Sequence, residues 1–195
     1  MPIEVVPYDP GWPARFEQLR AMLAPALGDV AVAIEHVGST AVPGLAAKPV
    51  VDIDVIVASP AEVPEAIARL GTLGYRHLGD LGIAGREAFR RPPGLPAHNL
   101  YVCPQGIESL RNHLAIRDHL RSHPESREAY GALKTRLATE VDWIDDYVER
   151  KSAFLLDILE AEGFDPDALE RIRAANRGSA ARATTAGDGR PGVPT

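Results

Sequence analysis

His36-Val-Gly-Ser-Thr-Ala-Val-Pro-Gly-Leu-Ala-Ala-Lys-Pro-Val-Val-Asp-Ile-Asp-Val55 is the stretch on which the fold turns. Its end opens the strongest strand signal in the chain, Val50 to Val57, where Asp52 and Asp54 are flanked on both sides by apolar residues. A run of that kind is expected to be a central, buried strand. Side chains two apart on a strand share a face, so both acids should point the same way, near the strand end and into a cleft. Two close carboxylates repel unless a cation lies between them. The natural occupant is a hard divalent ion, Mg²⁺, held by Asp52 and Asp54 with water and substrate phosphates as further ligands.

Upstream, Val30 to Val37 is rich in β-branched residues and suits a strand that ends at Gly38. Glycine lets a backbone approach a phosphate closely, and the Ser39 and Thr40 hydroxyls and amides can donate to its oxygens. A hairpin-like return would set this turn beside the aspartates, so that phosphate and metal meet, as phosphoryl transfer requires. An Asp-x-Asp pair alone is often structural, and a Gly-Ser turn alone is usually a plain turn. Their order, spacing and strand context together make the signal.

Working outward, Ile3 to Val6 reads as a short edge strand, and Phe16, Leu19, Leu23 and Leu27 repeat at helical spacing. Ser59-Pro-Ala-Glu62 is a capping box that opens a helix with Val63, Ile67 and Leu70 inward, ended by Gly71 and Gly74. Tyr75 to Leu78, Arg86 to Arg90 and Asn99 to Val102 are further strand candidates. From Gly106 the pattern turns helical. Leu110, Leu114 and Leu120 mark one helix. Ser122-His-Pro-Glu125 opens a second with Tyr130, Leu133 and Leu137, and Trp143, Tyr147, Phe154, Leu155 and Ile158 mark a third. The order predicts an α/β protein of α+β type, with a mixed sheet under helices and a C-terminal helical portion. Residues 1–176 read as one domain. The Gly-, Ala- and Pro-rich stretch 177–195 is expected to be a disordered tail.

The net charge of −6 argues against broad nucleic-acid binding, which needs a basic stripe. There is no apolar stretch approaching 18 residues and no basic-then-apolar N-terminus. A cytoplasmic protein, neither membrane-spanning nor conventionally secreted, is therefore expected. The single cysteine, Cys103, lies in an apolar run and reads as a buried core thiol. Nothing in the sequence speaks to oligomeric state.

The Gly-Ser turn followed by an Asp-x-Asp strand resembles the nucleotidyltransferase superfamily. The longer run Val37-Gly-Ser-Thr-Ala-Val-Pro-Gly-Leu with Lys48-Pro and Asp52-Ile is similar to the GrpB family. Val5-Val-Pro-Tyr-Asp-Pro-Gly-Trp12 with Phe16 matches that family's opening. Gly85-Arg86 with Phe89, His98, Asn112-His-Leu-Ala, Arg117-Asp118, Leu120-Arg, Tyr130, Leu133-Lys134, Tyr147, Lys151 and Phe154 follow in order. The likeness covers Ile3 to Ile158. It implies a nucleotidyltransferase-like fold with the site at strand ends. The resemblance to the wider superfamily implies transfer of a nucleotidyl group from a nucleoside triphosphate to a small-molecule acceptor.

The superfamily's full catalytic set includes a third carboxylate on a later strand. The corresponding stretch here, His98-Asn-Leu-Tyr-Val-Cys103, has none, which leaves His98 or Glu87 as candidate base or metal ligand. Lys48 is expected to face a phosphate or to be a solvated loop lysine. Arg86 is expected to clamp a phosphate or to sit in an edge-strand ion pair. His113, Arg117 and Lys134 form a basic wall for an anion, or helix-surface charges paired with Asp118 and Glu128. Tyr147 and Lys151, four apart on an inward helical face, complete the candidate set, Lys151 reaching the site or snorkelling outward. His36 is either a support for the site or a satisfied core histidine. Two alternatives to nucleotidyl transfer stay open: a non-catalytic nucleotide- or phosphate-binding accessory module, such as one assisting coenzyme A biosynthesis, and another transfer reaction on the same cleft.

Overall fold

Strand β2 (Val51–Val57) lies inside a five-stranded sheet, as its uninterrupted apolar flanks predict. The computed structural model describes residues 4–140 and 144–186. β1 (Ala33–Val37) runs antiparallel to β2, and β5 (His98–Pro104) runs parallel to it. β4 (Glu87–Arg90) and β3 (Arg76–Gly79) extend the sheet antiparallel beyond β5. The mixed α/β architecture expected from the sequence is therefore present.

The alternation of β2 divides the sheet into two chemically different faces. Val51, Ile53, Val55 and Val57 meet α1 (Trp12–Leu27) and α2 (Val63–Thr72) in the main core, through Phe16, Leu19, Leu23, Leu27, Ala66 and Leu70. Each large aliphatic side chain buried there contributes roughly 1.5–3 kcal/mol. The opposite face carries Asp52, Asp54 and Ile56, and α3 (Glu108–Ser122) packs Leu110 on Ile56 and Cys103 there. Cys103 is buried, and burial pushes its thiol well up, as expected of a core cysteine.

Three helices close that second face. α4 (Pro124–Glu140) buries Tyr130, Lys134 and Leu137, and α5 (Ile144–Ala161) brings Ile158 against Leu120, Val42 and Leu45. Trp143, expected to mark this helix, lies outside the described residues. α6 (Pro166–Ala186) packs Ala168 and Ile172 on Leu156 and Leu159 of α5. Asp165 starts α6 by accepting from Ala168 N at 2.8 Å.

Several local expectations shift. Val6 pairs only with Ala47, as an isolated bridge, and Ile3 is outside the described residues. β1 begins at Ala33 because Gly28–Val30 form a 3₁₀ turn, with Gly28 at a left-handed φ of 55°. The capping box forms as expected: Ser59 Oγ accepts from Ala61 N, and Glu62 Oε2 accepts from Ser59 N. Gly71 sits within α2, whose last residue is Thr72. The helix α6 was not expected, and it occupies residues 177–186 of the stretch expected to be disordered. Ala180, Ala181, Ala183 and Ala186 are strong helix formers and extend the packed first turns of α6. Residues 187–195, the rest of that expected tail, lie outside the described residues.

Candidate functional site

Asp52 and Asp54 project from the second face of β2 into the space between the sheet and α3, α4 and α5. Gly38 ends β1 beside them, where Val37 pairs with Asp52. Its φ is 69°, and a Cβ at this position would overlap the Asp52 carboxylate, so only glycine lets the chain pass this close to the acid. Ser39 follows in a 3₁₀ turn, Ser39–Ala41, and lines the same groove. The Gly-Ser bend and the acids therefore meet as the sequence predicts.

The two acids differ in environment. Asp54 is fully buried, and its Oδ2 lies 2.8 Å from His113 Nδ1, while its Oδ1 is buried without a hydrogen-bond partner. Asp52 opens into the groove, with Oδ1 accepting from Asn99 Nδ2 at 2.7 Å and Oδ2 over Gly38. Burial pushes the Asp52 carboxyl up, against the Asn99 hydrogen bond and the nearby charge of His113. Burial acts to lower His113, but the Asp54 carboxylate outweighs it, and the imidazole titrates above its ordinary range. Among the described residues no group of three His, Cys, Asp or Glu side chains is placed to hold a metal. Of the two acids only Asp52 lines the groove; Asp54 lines none of its cavities and is ion-paired with His113. A cation such as Mg²⁺, with phosphate and water as further ligands, would reach Asp52 from the groove and would need the His113 contact to give way at Asp54.

On one side of Asp52 lies a cavity of about 250 Å³ walled by Ser39, Lys48, Lys134, Tyr147 and Lys151. Lys134 is 3% exposed, and its ammonium has no hydrogen-bond partner, sitting 4.6 Å from the Tyr130 ring centre. Burial and the charge of Lys151 pull it down to about 7, against the attraction of Asp52. Lys48 and Lys151 both lie over the Tyr147 ring, at 5.3 and 5.9 Å. Burial also lowers both of these lysines, and in Lys151 the charge of Lys48 adds to it. No carboxylate among the described residues pairs with any of the three. Three ammonium groups and one carboxylate converge, so the cavity is short of negative charge.

The groove continues past Asp52 through a space of about 220 Å³ bordered by Asn112, His113 and Ile172. It then opens into a larger cavity of about 690 Å³ under α6, where Arg86 and Ser109 stand. Arg86 is 7% exposed and stacks over the Tyr101 ring at 4.1 Å; its Nε has no partner. The expected edge-strand ion pair of Arg86 does not form among the described residues. Among the described residues six buried side-chain atoms lack a partner; four belong to residues that line this groove, Arg86 Nε, Ser109 Oγ, Asn112 Oδ1 and Lys134 Nζ, and a fifth, Asp54 Oδ1, is on the acid two residues from Asp52. A native domain satisfies nearly all such atoms, so their concentration in one place calls for polar partners from outside the chain, water or a ligand.

Four expected site residues are corrected. Asn99 pairs with Asp52 and Tyr101 with Asp54, so His98, opposite Val51, falls on the core face. There its Nε2 meets the Tyr75 hydroxyl at 2.7 Å and its Nδ1 meets Pro96 O at 2.8 Å, and it is neither base nor ligand at the acids. Glu87 pairs with Val102, also core-facing, and its carboxylate is taken by His77 at 2.6 Å. The Thr40 hydroxyl is turned inward, at 3.0 Å from His36 Nε2 and 3.3 Å from Val50 O, and is not available to a phosphate. Arg117 is a strut, reaching Glu35 at 2.6 Å, His36 O at 3.1 Å and Asp118 at 2.7 Å. His36 is a core histidine stacked on Phe16. Asn99 and Ser109 carry no signal in the sequence, since only strand parity and helix phase single out such an amide or hydroxyl, and Asn112 appears there only within the resemblance to the GrpB family, with no role.

Comparisons with known proteins bear on the family and the fold. The family model for GrpB protein matches residues 2–161. The UPF0157 protein YqkA of Bacillus subtilis is 32% identical over 154 residues, 78% of this chain and 45% of that protein. A dephospho-CoA kinase of Mycolicibacterium paratuberculosis is 31% identical over 183 residues, 80% of this chain and 45% of that protein. The chain thus spans about half the length of these two relatives. The crystal structure of conserved protein GrpB from Enterococcus faecalis superimposes with a TM-score of 0.71 at 34% identity, covering 86% of this chain and 98% of that one. Among the described residues no helix is long and apolar enough to cross a membrane. With the family model matching most of its length and the GrpB crystal structure sharing its fold, the chain belongs to the GrpB protein family.

Proposed function

We propose that the groove binds the triphosphate of a nucleotide over Lys48, Lys134 and Lys151 and transfers its nucleotidyl group to a small-molecule acceptor. The observation that carries this is a trio of lysines, Lys134 buried, Lys151 partly buried and Lys48 exposed, with no carboxylate partner among the described residues, beside Asp52 and the Gly38-Ser39 bend. A polyanion of three to four charges completes that arrangement as no protein group does. Mg²⁺ would be held by Asp52, and by Asp54 once the His113 contact gives way, and when bound it would neutralise charge on the phosphates. An acceptor hydroxyl forms its bond to the α-phosphorus as the bond from that phosphorus to the bridging oxygen breaks. Pyrophosphate leaves over the lysines, and the hydroxyl proton passes to solvent. The name dephospho-CoA kinase of one relative supports a nucleotide-linked setting.

A second reading, binding without transfer, is favoured by one observation. Asn99 stands opposite Asp52, on the strand and the face where a third carboxylate would be needed, and hydrogen-bonds to that acid instead. Calorimetry with ATP and Mg²⁺, followed by a pyrophosphate-release assay across acceptors, separates the two. Transfer predicts release that Asp52→Asn abolishes with the fold intact. Release by the variant at the wild-type rate refutes it, and tight binding with no release by either protein establishes the second reading.

A further inference from the structure

The cavity under α6 is larger than the lysine cavity and differs from it in chemistry. Its volume, about 690 Å³, is that of a small-molecule site. Arg86 and Ser109 line it, each more than nine-tenths buried, with Nε and Oγ lacking partners. Ser109 is also in the first turn of α3, a 15-residue helix whose N-cap, Ile107, offers no capping side chain. The free amides there and the positive end of the helix dipole point to an anion. Glu108, the one acid of that turn, is neutralised by Arg171 at 2.6 Å. Asn112 Oδ1, buried and without a partner, asks for a donor. Ile83, Ile172 and Ala175 give the wall an aliphatic part, and among the lining residues the one ring is the His113 imidazole, with no Phe, Tyr or Trp to sandwich a base.

We infer that this cavity is a second-substrate site, which takes the carboxylate or phosphate of a small molecule on Arg86, Ser109 and the α3 N-terminus, and a hydroxyl or amine of the same molecule on Asn112. Its role as the acceptor site rests on the transfer proposed above; its binding chemistry does not. His113 and Asn112 border both this cavity and the space at Asp52. An acceptor here and a triphosphate over the lysines would approach the acids from opposite sides, as in-line displacement needs. Ile172, Ala175 and Asn176 come from α6, beyond the segment matched by the family model, so that helix would set which acceptor fits.

The test is calorimetry on the full chain without nucleotide or metal, titrating D-gluconate, D-ribose 5-phosphate and neutral ribitol. At least one anionic probe should bind and ribitol should not; which anion binds identifies the recognised group. Arg86→Gln should weaken that probe roughly ten-fold or more, by loss of a charge-assisted hydrogen bond. Ala175→Trp, which fills the cavity from α6, should abolish probe binding while inorganic triphosphate still binds. If the Trp variant melts earlier than wild type by circular dichroism, Arg86→Gln decides. Failure of both anionic probes to bind, equal binding of ribitol, or undiminished binding in the deciding variant would overturn the inference. Probe binding with no triphosphate binding would instead sink the nucleotide reading and leave this site standing.

Discussion

Lys134→Met tests the electrostatic logic of the groove most directly, because it keeps the side-chain stem and removes only the charge. The ammonium is buried on α4 with no hydrogen-bond partner. The groups facing it are Tyr130 on its own helix, Lys151 on α5 and Asp52 on β2. Its fall from 10.5 to about 7 is worth roughly 4–5 kcal/mol at 1.36 kcal/mol per unit. Relaxation and water entry reduce that ceiling, so the variant should be more stable by on the order of 2–4 kcal/mol at neutral pH. The sign with pH follows from proton counts. Between about 7 and 10.5 the unfolded chain holds this proton and the folded chain does not, so wild-type stability rises with pH across that window. The advantage of Lys134→Met is therefore full below the folded value and fades as pH approaches 10.5. Urea denaturation at pH 7 and pH 9.5 measures both ends. A bound triphosphate should recharge the amine, so calorimetry at pH 8 in buffers of different ionisation heat should show uptake of close to one proton in wild type and less in the variant. A variant less stable than wild type at pH 7, or a difference that does not change with pH, refutes this account of Lys134.

Gly38→Ala should lose on the order of 2 kcal/mol or more in a denaturation series, from the left-handed backbone and the overlap with Asp52, and triphosphate affinity should fall with it. His98→Ala should cost roughly 1–3 kcal/mol by orphaning the Tyr75 hydroxyl, yet leave nucleotide affinity within two-fold, roughly the scatter of such titrations. Any large loss of affinity in that variant would return His98 to the site. Acid unfolding should begin below pH 6.5, because burial holds His36 down at about 4, so the unfolded chain gains the proton first. Stability is then lost as pH falls through that window, by up to roughly 3 kcal/mol, and His36→Phe should flatten the fall.

The parts of the fold that could be read in advance were those with strong local periodicity. β2 stood out by its apolar flanks, α1 by Phe16, Leu19, Leu23 and Leu27, and the 3₁₀ start of α2 by its capping box. α6 was missed because its inward residues, Ala168 and Ile172, are few, and its continuation is alanine and arginine with no apolar stripe. For the site, local sequence named Gly38, Ser39, Asp52, Asp54, Lys48, Lys134 and Lys151; all border one groove except Asp54, which is paired with His113. It misplaced His98 and Glu87 for a specific reason. Which face a strand residue takes depends on register, and a one-residue offset between β2 and β5 exchanges His98 for Asn99. No composition or spacing within β5 encodes that offset.

Parity also explains how one sheet carries a stable core and an uncompensated charge cluster without conflict. On β2, β4 and β5 the apolar residues of the core beneath α1 and α2 are Val51, Ile53, Val55, Val57, Phe89, Leu100 and Val102, and the polar residues of that face, His98 and Glu87, are satisfied by Tyr75 and His77. Their alternate neighbours Asp52, Asp54, Asn99 and Tyr101 hold the groove. The hydrophobic stabilisation thus sits a single residue away from groups that burial disfavours, and the same backbone hydrogen bonds fix both. Along β2, truncation should therefore alternate in kind: Ile53→Ala lowers stability by roughly 2–5 kcal/mol, whereas Asp52→Asn leaves stability nearly unchanged or higher and removes ligand binding. If Asp52→Asn unfolded the chain as Ile53→Ala does, Asp52 would be a structural group and the groove would lose its anchor.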